Sequence, residues 1–125
     1  MPFTLSHPAA VLPLSGRVRP DLFAALVIGS MMPDFGYYFA PSAYFQDDAH
    51  TLGRSLTFCL PVGFAVLGVL YLLADGWLAL LPQVMRPMLS SWLTTSPWTP
   101  SRTPWVAGGL LVGAWSHMFW DAWTH

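Results

Sequence analysis

The chain has 125 residues, of which 54% are hydrophobic and only 9% are charged. A soluble domain is also about half apolar, but about a quarter of its residues are charged. The shortage of charge excludes an ordinary soluble surface and indicates that much of the chain faces lipid. The net charge of -1 and the scattered arginines form no basic patch, which excludes nucleic acid as a partner. One domain, over residues 1–125, is the expectation for this length.

The first predicted helix is short. Asp21, which follows Pro20, can cap a helix whose apolar run covers residues 22–32 and ends before Pro33. Eleven residues make a helix of roughly 16 Å, about half the hydrocarbon thickness of a bilayer. We therefore expect this helix to be buried or half-inserted. Residues 34–54 mix aromatic and charged side chains, which predicts a surface segment at the membrane boundary with turns and one short helix.

The strongest signal in the sequence is an apolar span from Ser55 to Ala74. It contains twenty residues without a charge, which is long enough to cross a bilayer as a helix. Pro61, Gly63 and Gly68 lie inside it, and such residues are better tolerated in a membrane helix than in a soluble one. The span is therefore predicted to be transmembrane.

Two further elements are predicted after this span. Between Trp77 and Trp92 the apolar residues recur at helical spacing, but Pro82 and Pro87 interrupt the backbone, which predicts a kinked segment lying in the membrane interface. A Pro/Ser/Thr loop precedes a last helix, which starts near Pro104 and has an apolar first half and a polar second half. The predicted fold class is therefore all-α, an integral membrane protein with about two transmembrane helices.

The last helix carries the most informative polar residues. His117, Asp121 and His125 are spaced four residues apart, so they lie along one stripe of the helix. Gly109 and Gly113 continue this stripe and form a surface for close helix–helix association, with Gly63 and Gly68 of the apolar span as the expected contacts. An ionisable side chain beside an apolar span indicates function, because burying it without a partner is costly. The alternative is a structural His–Asp hydrogen bond between helices.

The remaining candidates each have an ordinary alternative explanation. His7 fits a metal ligand or an exposed terminal residue. Asp34 fits a ligand, a turn residue or a helix cap, and His50 fits a ligand or an interfacial side chain. Asp47 and Asp48 are interpreted as solvated loop charges. Spacing alone does not decide among these interpretations.

Four blocks of the sequence resemble the DUF4184 family of bacterial membrane proteins. They are MPFTLSHPAAVLPL at the N-terminus, LVIGSMMPDFGYY at 26–38, HTLGRSLTFCLPVG at 50–63 and SHMFWDAWTH at the end. Their pattern is similar to that of the YdjM/DUF457 family of membrane-bound metal-dependent hydrolases, which is likened to the zinc-dependent phospholipase C and P1 nuclease group. Family members usually continue with further membrane helices, so the resemblance implies a fragment or a shortened member. It also implies that the metal-site residues are His7, Asp34, His50, His117 and Asp121, with His125 as a further candidate.

A site of three histidines and two aspartates without a thiolate suits a divalent ion such as Zn²⁺, Mn²⁺ or Fe²⁺. Such an ion activates water for attack on an ester or phosphoester. The first hypothesis is therefore a metal-dependent hydrolase in the bacterial cytoplasmic membrane, with the bilayer and a lipid or lipid-linked substrate as partners. The second is a non-enzymatic membrane protein or assembly subunit whose His/Asp cluster is structural.

Overall fold

A computed structural model describes residues 4–39, 50–93 and 99–124, and within these ranges every regular element is a helix, which confirms the all-α prediction. Two short 3-10 segments, Thr4–Ala10 and Leu12–Leu14, precede the first long helix. The helices, numbered in chain order, are α1 (Pro20–Phe39), α2 (Leu52–Leu72), α3 (Ala74–Leu80), α4 (Arg86–Leu93) and α5 (Thr103–Thr124).

Helix α1 is nearly twice as long as predicted. It has 20 residues and continues through Pro33, so the expected end before that residue is wrong. Proline removes one bond of the helix, here to the carbonyl of Gly29, but packing stabilises the turn because Pro33 and Asp34 are both buried. Asp21 lies inside the first turn, and its carboxylate oxygens accept no hydrogen bond among the described residues, so the predicted cap is also wrong.

Helix α2 confirms the predicted apolar span with shifted ends. It has 21 residues, and within the described ranges it is the one helix long and apolar enough to cross a membrane. Only 22% of its apolar window is buried, so most of its surface points outward. The sequence predicted two such helices. Helix α5 has 22 residues, but Ser116, His117 and Asp121 make its second half too polar.

Near its start, α2 contains one π-helical turn, Ser55–Cys59. π-turns insert a residue into a helix and are frequent at functional sites. The hydroxyl of Ser55 donates to the carbonyl of Leu52 at 2.6 Å and accepts from the indole nitrogen of Trp115 at 3.1 Å. This side-chain bond ties the start of α2 to α5, next to the polar residues of that helix.

The most extensive contact in the fold joins α1 to α5. A Cβ added to Gly29 would collide with the backbone of Leu110, and one added to Gly113 would collide with the backbone of α1 at Leu26. The predicted helix-contact surface on α5 therefore exists, but its partner is α1. Of the α2 glycines expected as contacts, Gly63 does pack against α5, but against the side chain of Leu110 and not against Gly109 or Gly113.

The segment predicted to be kinked forms two helices, α3 and α4. The helices are separated at residues 81–85, where Pro82 lies, whereas Pro87 is the second residue of α4 and is tolerated there. The guanidinium of Arg86 donates to the carbonyls of Leu81 at 3.0 Å and Ala79 at 3.1 Å. These hydrogen bonds supply donors for backbone carbonyls at the C-terminal end of α3. Residues 94–98 of the predicted loop lie outside the described residues.

Candidate metal centre

The five predicted site residues converge on one cluster. His7 lies on the first 3-10 segment, Asp34 on α1, and His50 two residues before α2 begins. His117 and Asp121 lie one turn apart on α5. Their side chains are linked by His–Asp distances between 3.0 and 3.9 Å. The further candidate His125, and the predicted loop charges Asp47 and Asp48, lie outside the described residues.

Four of the five residues bring one donor atom each to a common centre. His117 Nε2 lies 3.4 Å from Asp34 Oδ1 and 3.1 Å from Asp121 Oδ2. His50 Nε2 lies 3.7 Å from the same oxygen of Asp34 and 3.5 Å from that of Asp121. All four donors lie within 4.8 Å of one another. Donors bound tetrahedrally at about 2.0 Å are about 3.3 Å apart, so this group could hold one metal ion.

The environment of His117 requires a proton or a metal ion between its ring and the nearby carboxylates. Its Nδ1 is 2.8 Å from the carbonyl oxygen of Ser30, and because a carbonyl only accepts, Nδ1 carries the proton and donates it. In the neutral ring Nε2 then has a lone pair. This nitrogen is fully buried and makes no hydrogen bond among the described residues, although two carboxylate oxygens are close. Such an arrangement of acceptors is unfavourable unless a proton or a metal ion lies between them.

The Ser30 carbonyl is the group that sequence reasoning missed. Metal-binding histidines usually donate their second ring nitrogen to a carbonyl or carboxylate, which fixes the ring. Every residue has a main-chain carbonyl, so the residue type does not indicate which carbonyl contacts a histidine. One signal was available: Ser30 and Asp34 are four residues apart and share a face of α1 once the helix is known to pass through Pro33.

His7 lies on the other side of the two carboxylates. Its Nε2 donates to Asp121 Oδ1 at 3.0 Å, and its Nδ1 is 3.9 Å from Asp34 Oδ2. These are not the oxygens that face His50 and His117. The ring of His7 also stacks on that of His117, with centroids 3.7 Å apart and planes at 19°. His7 therefore belongs to the cluster but approaches it from outside the four-donor group.

The members of the cluster differ in their exposure to solvent. His7 and His117 are almost completely buried, and Asp34 is 7% exposed. The side chains of His50 and Asp121 are 26% and 22% exposed. His50 and Asp121 are therefore the more exposed members of the four-donor group.

The chain matches the family described as "Domain of unknown function (DUF4184)" over residues 1–125, and it belongs to that family. This confirms the resemblance carried by the four sequence blocks. No curated protein and no solved structure matches the chain. The further relation to the YdjM/DUF457 family stays a prediction.

Proposed function

We propose that this member of the DUF4184 family is a membrane-bound metal-dependent hydrolase that acts at the lipid interface. The observation that carries the proposal is the convergence of four donor atoms, from Asp34, His50, His117 and Asp121, within 4.8 Å of one another. Nitrogen and oxygen donors without a thiolate suit Zn²⁺, Mn²⁺ or Fe²⁺. When bound, such an ion supplies Lewis-acid activation of water and of a substrate oxygen, as hydrolysis of an ester or phosphoester requires.

The protein residues divide into a fixed part and an accessible part. His117 is held by the Ser30 carbonyl, and Asp34 is held within α1, so both donate from rigid and buried positions. His50 and Asp121 form the exposed edge, where water and substrate can approach. An accessible edge distinguishes a catalytic metal site from one that is closed by protein on every side.

The position of the cluster relative to α2 supports a lipid substrate. A helix of 21 residues is about 31 Å long, close to the hydrocarbon thickness of a bilayer. His50 precedes this helix by two residues, so a membrane-crossing α2 places the four donors at the membrane boundary. Together with the low charge of the chain, this position favours a lipid or lipid-linked substrate over a soluble one.

A second function is favoured by the number of donors. Four protein ligands complete the coordination of a structural zinc ion, whereas catalytic zinc usually has three protein ligands. In that case the ion would join α1, α5 and the segment before α2 in a non-enzymatic membrane protein or assembly subunit. The two functions differ in whether the bound ion still accepts an external ligand.

Metal content tests what both functions share. We expect detergent-purified wild type to retain about one divalent ion per chain, since the four donors surround one centre. Asp34→Asn replaces a charged carboxylate by a neutral amide, His117→Ala removes a donor, and both variants should lose the ion. Asp75→Asn changes an exposed aspartate on α3 and should retain it. Equal metal content in all four proteins, measured by elemental analysis, would remove the metal site and with it the proposed function.

Hydrolysis separates the two functions. Wild type loaded in turn with Zn²⁺, Mn²⁺ or Fe²⁺ is given phospholipid in mixed micelles and, separately, a soluble nitrophenyl phosphodiester. The proposed hydrolase should cleave the lipid in wild type and in Asp75→Asn, but not in Asp34→Asn. Full metal loading without cleavage of either substrate would favour the structural role.

A further inference from the structure

We infer that His7 is a positioning residue that orients the two carboxylates of the metal centre and is not itself a ligand. This inference rests on the proposed metal centre and differs from the sequence prediction, which placed His7 among the ligands. It is drawn from the positions of four groups: the rings of His7 and His117 and the carboxylates of Asp34 and Asp121.

The first argument is the division of the carboxylate oxygens. Asp34 Oδ1 and Asp121 Oδ2 face the Nε2 atoms of His50 and His117. Asp34 Oδ2 and Asp121 Oδ1 face His7, which donates to the latter at 3.0 Å. Each carboxylate thus has one oxygen directed to the centre and one directed to His7. The hydrogen bond from His7 selects which oxygen of Asp121 is available to an ion.

The second argument is the stacking of the two rings. An imidazole binds a metal through a lone pair that lies in the plane of its ring. An ion bound by His117 Nε2 would therefore lie near the plane of the His117 ring. The His7 ring is nearly parallel to that plane, at 19°, with its centroid 3.7 Å away. The in-plane lone pairs of His7 and of His117 Nε2 are therefore directed along two nearly parallel planes and would not meet at one ion.

The buried position of His7 suits this role. The side chain is 1% exposed, on a 3-10 segment that contacts both α1 and α5. The carboxylates that it contacts come from these same two helices. A hydrogen bond to a metal-binding carboxylate typically changes metal affinity 10–100-fold when it is removed, without removing the site.

Two measurements on the full chain in detergent, both with Zn²⁺, test the inference. Metal titration gives the Zn²⁺ affinity, and X-ray absorption gives the number of imidazole ligands. We expect two imidazole ligands per ion in wild type and still two in His7→Ala, whose Zn²⁺ affinity should fall about 10–100-fold. In His7→Gln the side-chain amide can donate to Asp121, so the affinity should partly recover. His117→Ala should lose the ion, and circular dichroism checks that each variant keeps its helix content.

The possible failures are distinguishable. If wild type binds no Zn²⁺, the proposed metal centre itself is wrong. If wild type binds Zn²⁺ through three imidazoles, and His7→Ala leaves two, His7 is a ligand and only this inference is overturned. Unchanged Zn²⁺ affinity in His7→Ala would also overturn it. If His7→Ala does not fold, the imidazole count of wild type and the affinity of His7→Gln decide between a ligand and a positioning residue.

Discussion

His117 shows how one backbone group determines the chemistry of a side chain. The Ser30 carbonyl fixes the proton on Nδ1 and thereby directs the Nε2 lone pair toward the carboxylates of Asp34 and Asp121. Without that carbonyl the ring could donate from Nε2 to a carboxylate and form an ordinary His–Asp hydrogen bond. A bound ion or a proton on Nε2 would each satisfy this contact, so the structural His–Asp alternative stands beside the metal site at His117.

The bond between Ser55 and Trp115 allows a test of how α2 is held against α5. Ser55→Ala and Trp115→Phe each remove the 3.1 Å hydrogen bond, and each should lower the free energy of unfolding by about 1–2 kcal/mol. The double variant should lose less than the sum, with a coupling of about 0.5–1.5 kcal/mol, because both substitutions remove the same bond. Denaturant unfolding in detergent measures these differences. Trp105→Phe, at a 62% exposed position of α5, is the control. Strict additivity of the two substitutions would show that the bond contributes nothing.

The membership of the polar cluster was predictable from the sequence, but its internal arrangement was not. The resemblance to the DUF4184 family selected His7, Asp34 and His50 together with His117, whereas spacing alone left each of the three with an ordinary alternative. The position of His7 outside the four-donor group depends on the stacking of its ring and on which oxygen of each carboxylate faces it. Residue type and sequence spacing predict neither of these features.

The packing of α1 on α5 determines where the donors lie. The two helices approach so closely that a backbone carbonyl of α1 contacts a side chain of α5, and this approach requires glycine at the contact points. Gly29 and Gly113 lie on opposite sides of the contact, one on each helix. Asp34 follows Gly29 by five residues and His117 follows Gly113 by four, so the same contact aligns two of the metal donors.

Alanine substitutions of two glycines test this close approach. Gly29→Ala places a methyl group against the backbone of Leu110, which cannot move aside independently, so unfolding free energy should fall by about 2–3 kcal/mol. Zn²⁺ affinity should fall as well, because α1 carries the Ser30 carbonyl and Asp34 away from α5. Gly108→Ala is the matched control: it has open space around its Cβ and should stabilise α5 by up to about 1 kcal/mol. Thermal unfolding measures both variants, and a similar loss in both would show that the contact is not tight.

The sequence predicted which segments are helical better than it predicted where the helices end. The uncharged run predicted α2 because length and apolarity are properties of the residues themselves. The end of α1 was misplaced because Pro33 is a helix breaker by local preference, and only packing against α5 overrides it. Pro82 behaved as predicted, since residues 81–85 separate α3 from α4. The helix-breaking preference of proline therefore predicted the structure at Pro82, where tertiary contacts are few, and failed at Pro33, where α1 packs extensively on α5.

In the whole molecule, the metal centre is where three separate parts of the chain meet. Its four donors come from α1, from the residues before α2 and from α5, and His7 adds the N-terminal segment. Without an ion, two carboxylates would lie beside the buried lone pair of His117, which is unfavourable at close range. An ion bound by the four donors would join these parts of the chain and compensate the carboxylate charge. We expect the stability of the whole chain to depend on the metal.

Chelation tests this dependence. Removing the ion should lower the unfolding temperature, because a ligand at 100 times its Kd stabilises the folded state by about 2.7 kcal/mol. For a chain of 125 residues this corresponds to a shift on the order of 10 °C. Readdition of Zn²⁺ should restore the unfolding temperature of wild type and of Asp75→Asn. Asp34→Asn should respond to neither treatment, because its neutral amide holds the ion too weakly to join α1 to α5. An unfolding temperature of wild type that is insensitive to both chelator and Zn²⁺ would show that no ion links these helices.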